Sequence, residues 1–215
     1  MGLAIEVGAL ATYGAAKNTE KIDKFTADLE KINAQLVERG LEPHHEPVAF
    51  DSPPETRASL TTFPYFWLHY LRRFAAHIQR DPKWVPYPVQ PGEDPAADPV
   101  LQQMYRRMES HLLCHSDREG YYLPLDFREL ILDPSHEITG GVVGSSYRLR
   151  DELLQLCSCL EIEVDDQGEL SDDIAAAVAD ERPNEAPYAR ERLVWLALWE
   201  AARLSIDHRA VILFR

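Results

Sequence analysis

The sequence predicts an α+β fold, mostly helical, with about six helices around a small mixed sheet in a single domain spanning residues 1–215. Three observations carry this. Apolar residues recur at alternating spacings of three and four over long stretches, the period of an amphipathic helix. Short apolar runs punctuated by glycine or bounded by polar residues, at Leu3–Leu10 and Ala210–Phe214, read as buried strands. Finally, 215 residues at 45% hydrophobic content can bury one sizeable core, and no internal repeat divides them.

In chain order, Leu3–Leu10 is a strand punctuated by Gly8. Thr19–Arg39 is the clearest helix. Ile22, Phe25, Leu29, Ile32 and Leu36 share one face, and Glu20, Lys24, Asp28 and Lys31 fill the solvent side. Asn18 or Thr19 caps its start, and Gly40 supplies a left-handed residue after its end. Leu41–Thr62 is irregular and proline-punctuated, with a short edge strand at Pro47–Phe50. A second helix runs from Pro64 to about Gln79, capped by Thr62. Its aromatic start (Phe63, Tyr65, Phe66, Trp67, Tyr70) is expected to pack in the core rather than line a ligand pocket.

Residues 81–99 carry six prolines and read as an extended linker or lid. Asp98 and Pro99 then open a helix, as N-cap and first residue, that runs to about Leu113. Gly120–Phe127 suggests a strand that Pro124 places at an edge or bulge. Gly140, Gly141 and Gly144 lead into Ser145 and Ser146 and a helix to about Leu160. Glu161–Val164 suggests a strand and Asp165–Gly168 a turn. Ser171 caps a short helix to about Ala179, and Pro187 begins a long one through Leu204.

Composition narrows the function. Apolar runs fall short of the roughly 18 residues needed to span a bilayer. Met1–Ala16 lacks the basic region of a signal peptide, so a cytoplasmic location is expected, with no membrane partner. Cys114, Cys157 and Cys159 are too few and too poorly spaced for a disulfide framework or a zinc site, and read as inert buried thiols. With 36 acidic against 22 basic residues the net charge is -14. Such a field repels phosphates, so no nucleic acid is expected as a partner. A basic protein is the partner that suits it, although the same charge also serves solubility.

Two segments are candidates for chemistry. In a helix continuing past Leu113, His111 and His115 would lie one turn apart on one face, with Asp117 as a third group: the spacing for acid–base work or for a shared metal. No glutamate sits beside His111 as the zincin pattern requires, and histidines satisfied at a helix end explain the segment equally, so no metal or other cofactor is expected. Gly140, Gly141, Gly144, Ser145 and Ser146 precede a helix, where backbone N–H groups can hold an anion. The pattern is neither a Walker loop nor GxGxxG, and a loop ending in a serine cap accounts for it. His44, His45, His69, His77, His136 and His208 read as structural or solvent-exposed. The acidic run from Glu161 to Asp173 lacks the EF-hand order of ligands and reads as a solvated surface.

The opening Met1–Gly8, the stretch His111–Pro124 and the loop Gly140–Ser146 resemble a group of bacterial proteins of about this length that have no assigned function. The resemblance implies a bacterial, cytosolic origin and no activity. The sequence therefore favours a non-catalytic acidic binding protein, of the immunity or antitoxin-like inhibitor kind, acting on a basic partner. The alternative is an enzyme or small-anion-binding protein using the segments His111–Asp117 and Gly140–Ser146.

Overall fold

A computed structural model describes residues 2–215. The elements run β1 (Gly2–Val7), α1 (Ala9–Ala15), α2 (Thr19–Glu38), β2 (Thr62–Pro64), α3 (Tyr65–Arg80), α4 (Pro99–Tyr105), α5 (His111–Cys114), β3 (Gly120–Leu123), β4 (Ile131–Leu132), β5 (Val142–Ser145), α6 (Ser146–Leu154), α7 (Asp172–Ala179), α8 (Ala189–His208) and β6 (Ile212–Phe214). The α+β expectation holds, with eight α-helices among the described residues rather than about six. The sheet is mixed, in the order β2-β1-β6-β3-β5-β4, and among the described residues only β3–β5 is parallel.

Both faces of the sheet are covered. Successive residues of a strand point to opposite sides, so Tyr122, Ile212 and Phe214 join one core and Tyr121 and Leu213 the other. The first core is filled by α3, α6 and above all α8, whose Trp195 and Trp199 stack at 4.9 Å and are almost wholly buried. The second takes Phe25, Ile32 and Leu36 from α2. No helix among the described residues is long and apolar enough to cross a membrane.

Several local expectations are corrected. The first strand ends at Val7, because Gly8 turns left-handed (φ 87) with the Phe50 ring where a side chain would be, and α1 follows. Pro47–Phe50 is loop. Its neighbour Glu46 is buried and ties that loop down, accepting from Ala9 N (2.8 Å), Val211 N (2.9 Å) and the His44 ring (2.8 Å). Thr62 lies in β2, and Pro64 takes the cap position of α3. Asp28 is buried rather than on the solvent face of α2. Its Oδ2 accepts from the Tyr121 hydroxyl (2.7 Å) and the Thr139 hydroxyl (2.6 Å), tying α2 to the sheet and to the glycine loop.

The helix expected to run from Pro99 to Leu113 stops at Tyr105. Met108 adopts a left-handed φ of 52°, and a new turn, α5, starts under Ser110. Glu152 completes that cap: its carboxylate accepts from His111 N (2.6 Å), Leu112 N (3.2 Å) and the Ser110 hydroxyl. Burial raises the Glu152 carboxyl above its ordinary range, against the pull of these hydrogen bonds. Gly120–Leu123 is an inner strand, and Pro124 marks its end rather than an edge. The helix expected to reach Leu160 ends at Leu154, where Leu156 and Cys157 switch to bonds three residues back. The Glu161–Val164 stretch is not a strand, because Glu161 is left-handed (φ 57).

Candidate functional site

The two sequence-predicted segments meet, but inside the protein. His111 is 1% exposed. Its Nδ1 accepts from Ser145 N (2.9 Å), and its Nε2 donates to Arg128 O (3.1 Å), which fixes a neutral tautomer. Burial lowers its pKa from the ordinary histidine value. His115 lies beyond α5 in extended backbone, so the two rings do not share a helical face. It stacks on Tyr122 at 4.1 Å, with its ring nitrogens facing Ser116 O (2.9 Å) and Tyr121 O (3.1 Å). Burial pushes its pKa down to about 4, so at neutral pH its single ring proton serves one of these carbonyls at a time. Asp117 is elsewhere, 3.2 Å from the His69 Nε2.

The glycine loop is used for packing. Gly140 (φ 81) presses on Gly120, Gly141 (φ 69) on the His136 ring, and Gly144 on the Tyr122 ring. Ser145 caps α6, accepting from Arg148 N (3.3 Å) and donating to Leu125 O (2.6 Å), while the Ser146 hydroxyl lies 2.7 Å from that of Ser205. Both serines are wholly buried.

A different feature stands out on the surface. Between Arg150 and Arg182 the chain has no lysine, arginine or histidine and eleven acidic residues: Asp151, Glu152, Glu161, Glu163, Asp165, Asp166, Glu169, Asp172, Asp173, Asp180 and Glu181. The segment begins in α6, makes the turns around Leu160 and Asp165, and ends past α7. Leu160, Ile162, Leu170, Ala175 and Val178 anchor it in the core beside α8. Glu161, Glu163, Asp165, Asp166, Asp173 and Asp180 stand exposed between or beside these anchors. Buried and exposed positions thus alternate, and the acids point outward because the apolar residues between them point inward.

Arginines neutralise only part of this arc. Glu169 pairs with Arg150, Asp172 with Arg57 (2.9 Å), Glu181 with Arg192 (2.6 Å) and Asp151 with Arg148 (3.5 Å). The six exposed acids just named make no ion pair with any described residue. Asp165 is held by its own turn, accepting from Gln167 N (2.9 Å) and Glu169 N (2.8 Å). The acids match no catalytic or calcium-binding motif, and the signal in the sequence is the absence of any cation between Arg150 and Arg182.

Glu161 occupies a left-handed position that glycine usually fills, following a helical turn closed by Ile162 N–H donating to Cys157 O. The left-handed conformation costs a side chain about 1–2 kcal/mol, partly offset by the greater chain entropy that glycine loses on folding. Glu161→Gly is therefore expected to stabilise the protein by about 0.5–1 kcal/mol, read by urea denaturation. Unchanged or lower stability would show that this backbone is not strained.

No curated protein and no solved structure matches the chain. A family model does match, over residues 1–214, and its description is "Putative DNA-mimic protein". This agrees with a non-catalytic acidic binding protein and brings no immunity or antitoxin role with it. It corrects the expectation of no nucleic acid, though not that of a basic partner: the family is described by likeness to DNA, so nucleic acid enters as the object imitated. With the match reaching from the first residue to the last but one, the chain belongs to this DNA-mimic family.

Proposed function

We propose that the chain occupies the DNA-binding surface of a DNA-binding protein and thereby keeps DNA off it. The observation that carries this is the cation-free arc at residues 151–181, with six exposed carboxylates unpaired. Proteins gather Lys and Arg where phosphates will lie, and most non-specific affinity for DNA comes from those charges. A surface of fixed carboxylates offers the same sign of charge without bases to read. The arc is held by buried anchors, so little ordering is needed on binding. The burial of both His111 and His115, with both ring nitrogens of His111 engaged by backbone, supports a binding role over a catalytic one.

The test is competition. Proteins retained on the immobilised chain at low salt are challenged with duplex DNA, or with neutral salt matched for ionic strength. The expected result is release by DNA and not by the matched salt. Converting Glu163, Asp166, Asp173 and Asp180 to their amides is expected to weaken retention at least about tenfold, a loss of about 1.4 kcal/mol, with the fold unchanged. Retention that DNA does not displace, or that survives the four changes, would sink the proposal.

A further inference from the structure

The basic residues are as unevenly placed as the acidic ones. Four of the five lysines, Lys17, Lys21, Lys24 and Lys31, fall within fifteen residues, the first just before α2 and the others along it. Lys21 and Lys24 are three apart on one helical face. They line a cavity of about 450 Å³ together with Arg118 and Arg215, from the loop before β3 and the residue after β6. A second hollow of about 350 Å³ shares Lys24 and Arg118.

In a protein with a net charge of -14, cations have carboxylates to spare. Arg215 takes one, pairing with Glu6. Lys31, outside the cavity, takes another, Glu137 at 3.4 Å. Lys21, Lys24 and Arg118 make no ion pair with any described residue, although Glu119 lies on the same wall. Three unpaired cations around one concavity make a site for an anion of more than one negative charge, with the arginine able to grip a phosphoryl group through two parallel bonds.

Most of the remaining lining is aromatic, with Thr139 and Leu213 beside the rings. Tyr13, Phe25, Tyr65, Tyr121 and Phe214 contribute to it, and Lys21 lies 5.4 Å from the Tyr13 ring centroid. Tyr121 and Thr139 are held from behind by the buried Asp28. The volume lies within the roughly 300–1,000 Å³ of small-ligand pockets, far more than a bare phosphate fills. We infer that this cavity binds a small phosphorylated ligand carrying a planar ring, of the nucleotide class, with Lys21, Lys24 and Arg118 on the phosphates and the tyrosines against the ring. The site is separate in sequence and in charge from the acidic arc, and stands or falls independently of the DNA-mimic reading.

The experiment is calorimetric titration of the whole chain at low salt with ADP, GDP, adenosine and inorganic phosphate. Saturable binding of at least one nucleotide is expected, with adenosine and phosphate each at least about tenfold weaker. The triple variant Lys21→Ala, Lys24→Ala, Arg118→Ala removes exposed side chains only. It is expected to keep its melting temperature and lose at least about tenfold in nucleotide affinity. Photo-crosslinking of an azido-nucleotide to the unaltered protein supplies a reading that needs no variant, and should label peptides containing Tyr13 or Tyr65. Neither nucleotide binding, phosphate binding as tightly as ADP, a triple variant that binds normally, or label confined to other peptides would each overturn the inference.

Discussion

Glu200→Ala is expected to destabilise the fold by about 2–4 kcal/mol, somewhat less than the cost of breaking a fully buried ion pair, because the two arginines it leaves are each about a quarter exposed. Glu200 lies on α8 and is wholly buried. Its carboxylate accepts from Arg57 N (3.0 Å), Nε (3.0 Å) and Nη2 (2.6 Å), and from Arg203 Nη2 (2.8 Å). Arg57 belongs to the long irregular stretch before β2, so this cluster ties that stretch to the central helix. Alanine would leave two guanidinium groups facing each other with no carboxylate between them. Burial pushes the Glu200 carboxyl upward, but the bonds from Arg203 and Arg57 outweigh it and hold the pKa below the ordinary glutamate value.

The sign of the pH effect follows from that direction. A carboxyl whose folded pKa is depressed adds stability above its unfolded pKa of about 4.3, and that stability is lost as pH falls through the folded value. Urea denaturation of wild type and variant across the acid range should therefore show the gap closing as pH falls. A gap under about 1 kcal/mol at neutral pH, or one that widens in acid, would refute this account of the cluster.

Gly140→Ala is the second large effect, expected at about 2–4 kcal/mol. Two costs combine there. The backbone is left-handed (φ 81), which costs a side chain about 1–2 kcal/mol. A methyl group would also meet main chain, 2.9 Å from Gly120 Cα and closer still to the Glu119 carbonyl. Main chain cannot rotate away as a side chain can, so overpacking adds about 1–3 kcal/mol. Gly40 is the control. Its φ of 74° is similar, but nothing lies within 4 Å of the added atom. Gly40→Ala should cost only about 1 kcal/mol. At roughly 2–4 °C per kcal/mol for a chain of this length, the two variants should separate clearly in a thermal melt. Equal losses would mean that the loop yields around the new methyl group.

Helices were legible where one strong local signal fixed them. The apolar stripe Phe25–Leu36, with Asn18 accepting from Lys21 N, gives α2 almost to the residue. Asp98, which accepts from Val100 N and Leu101 N, opens α4 as its sequence position implies. What stayed hidden depends on distant partners. The break at Met108 and the new turn at Ser110 rest on Glu152, forty-two residues beyond Ser110 in the sequence. The burial of Asp28 rests on Tyr121 and Thr139. Short strands β4 and β5 carry too few residues to show alternation, and glycine obscures the second. His111 and Ser145 belong to separate candidate segments, and their meeting is a product of the β3–β5 pairing. The acidic arc lay open to counting, but its meaning did not, because excess carboxylate is also how ordinary proteins stay in solution.

The alternation along the arc separates two kinds of constraint on the same thirty-one residues. Leu160, Ile162, Leu170, Ala175 and Val178 answer to the core, where the loss of a methylene is felt. Glu163, Asp166, Asp173 and Asp180 answer only to whatever approaches from solvent, where a substitution usually changes stability by less than about 0.5 kcal/mol. Within such a segment the pattern of charge can drift, gain a carboxylate or lose one while the scaffold beneath stays fixed. Each of these four positions can therefore be altered, alone or with the others, to reset the charge of this surface without passing through a sequence that fails to fold.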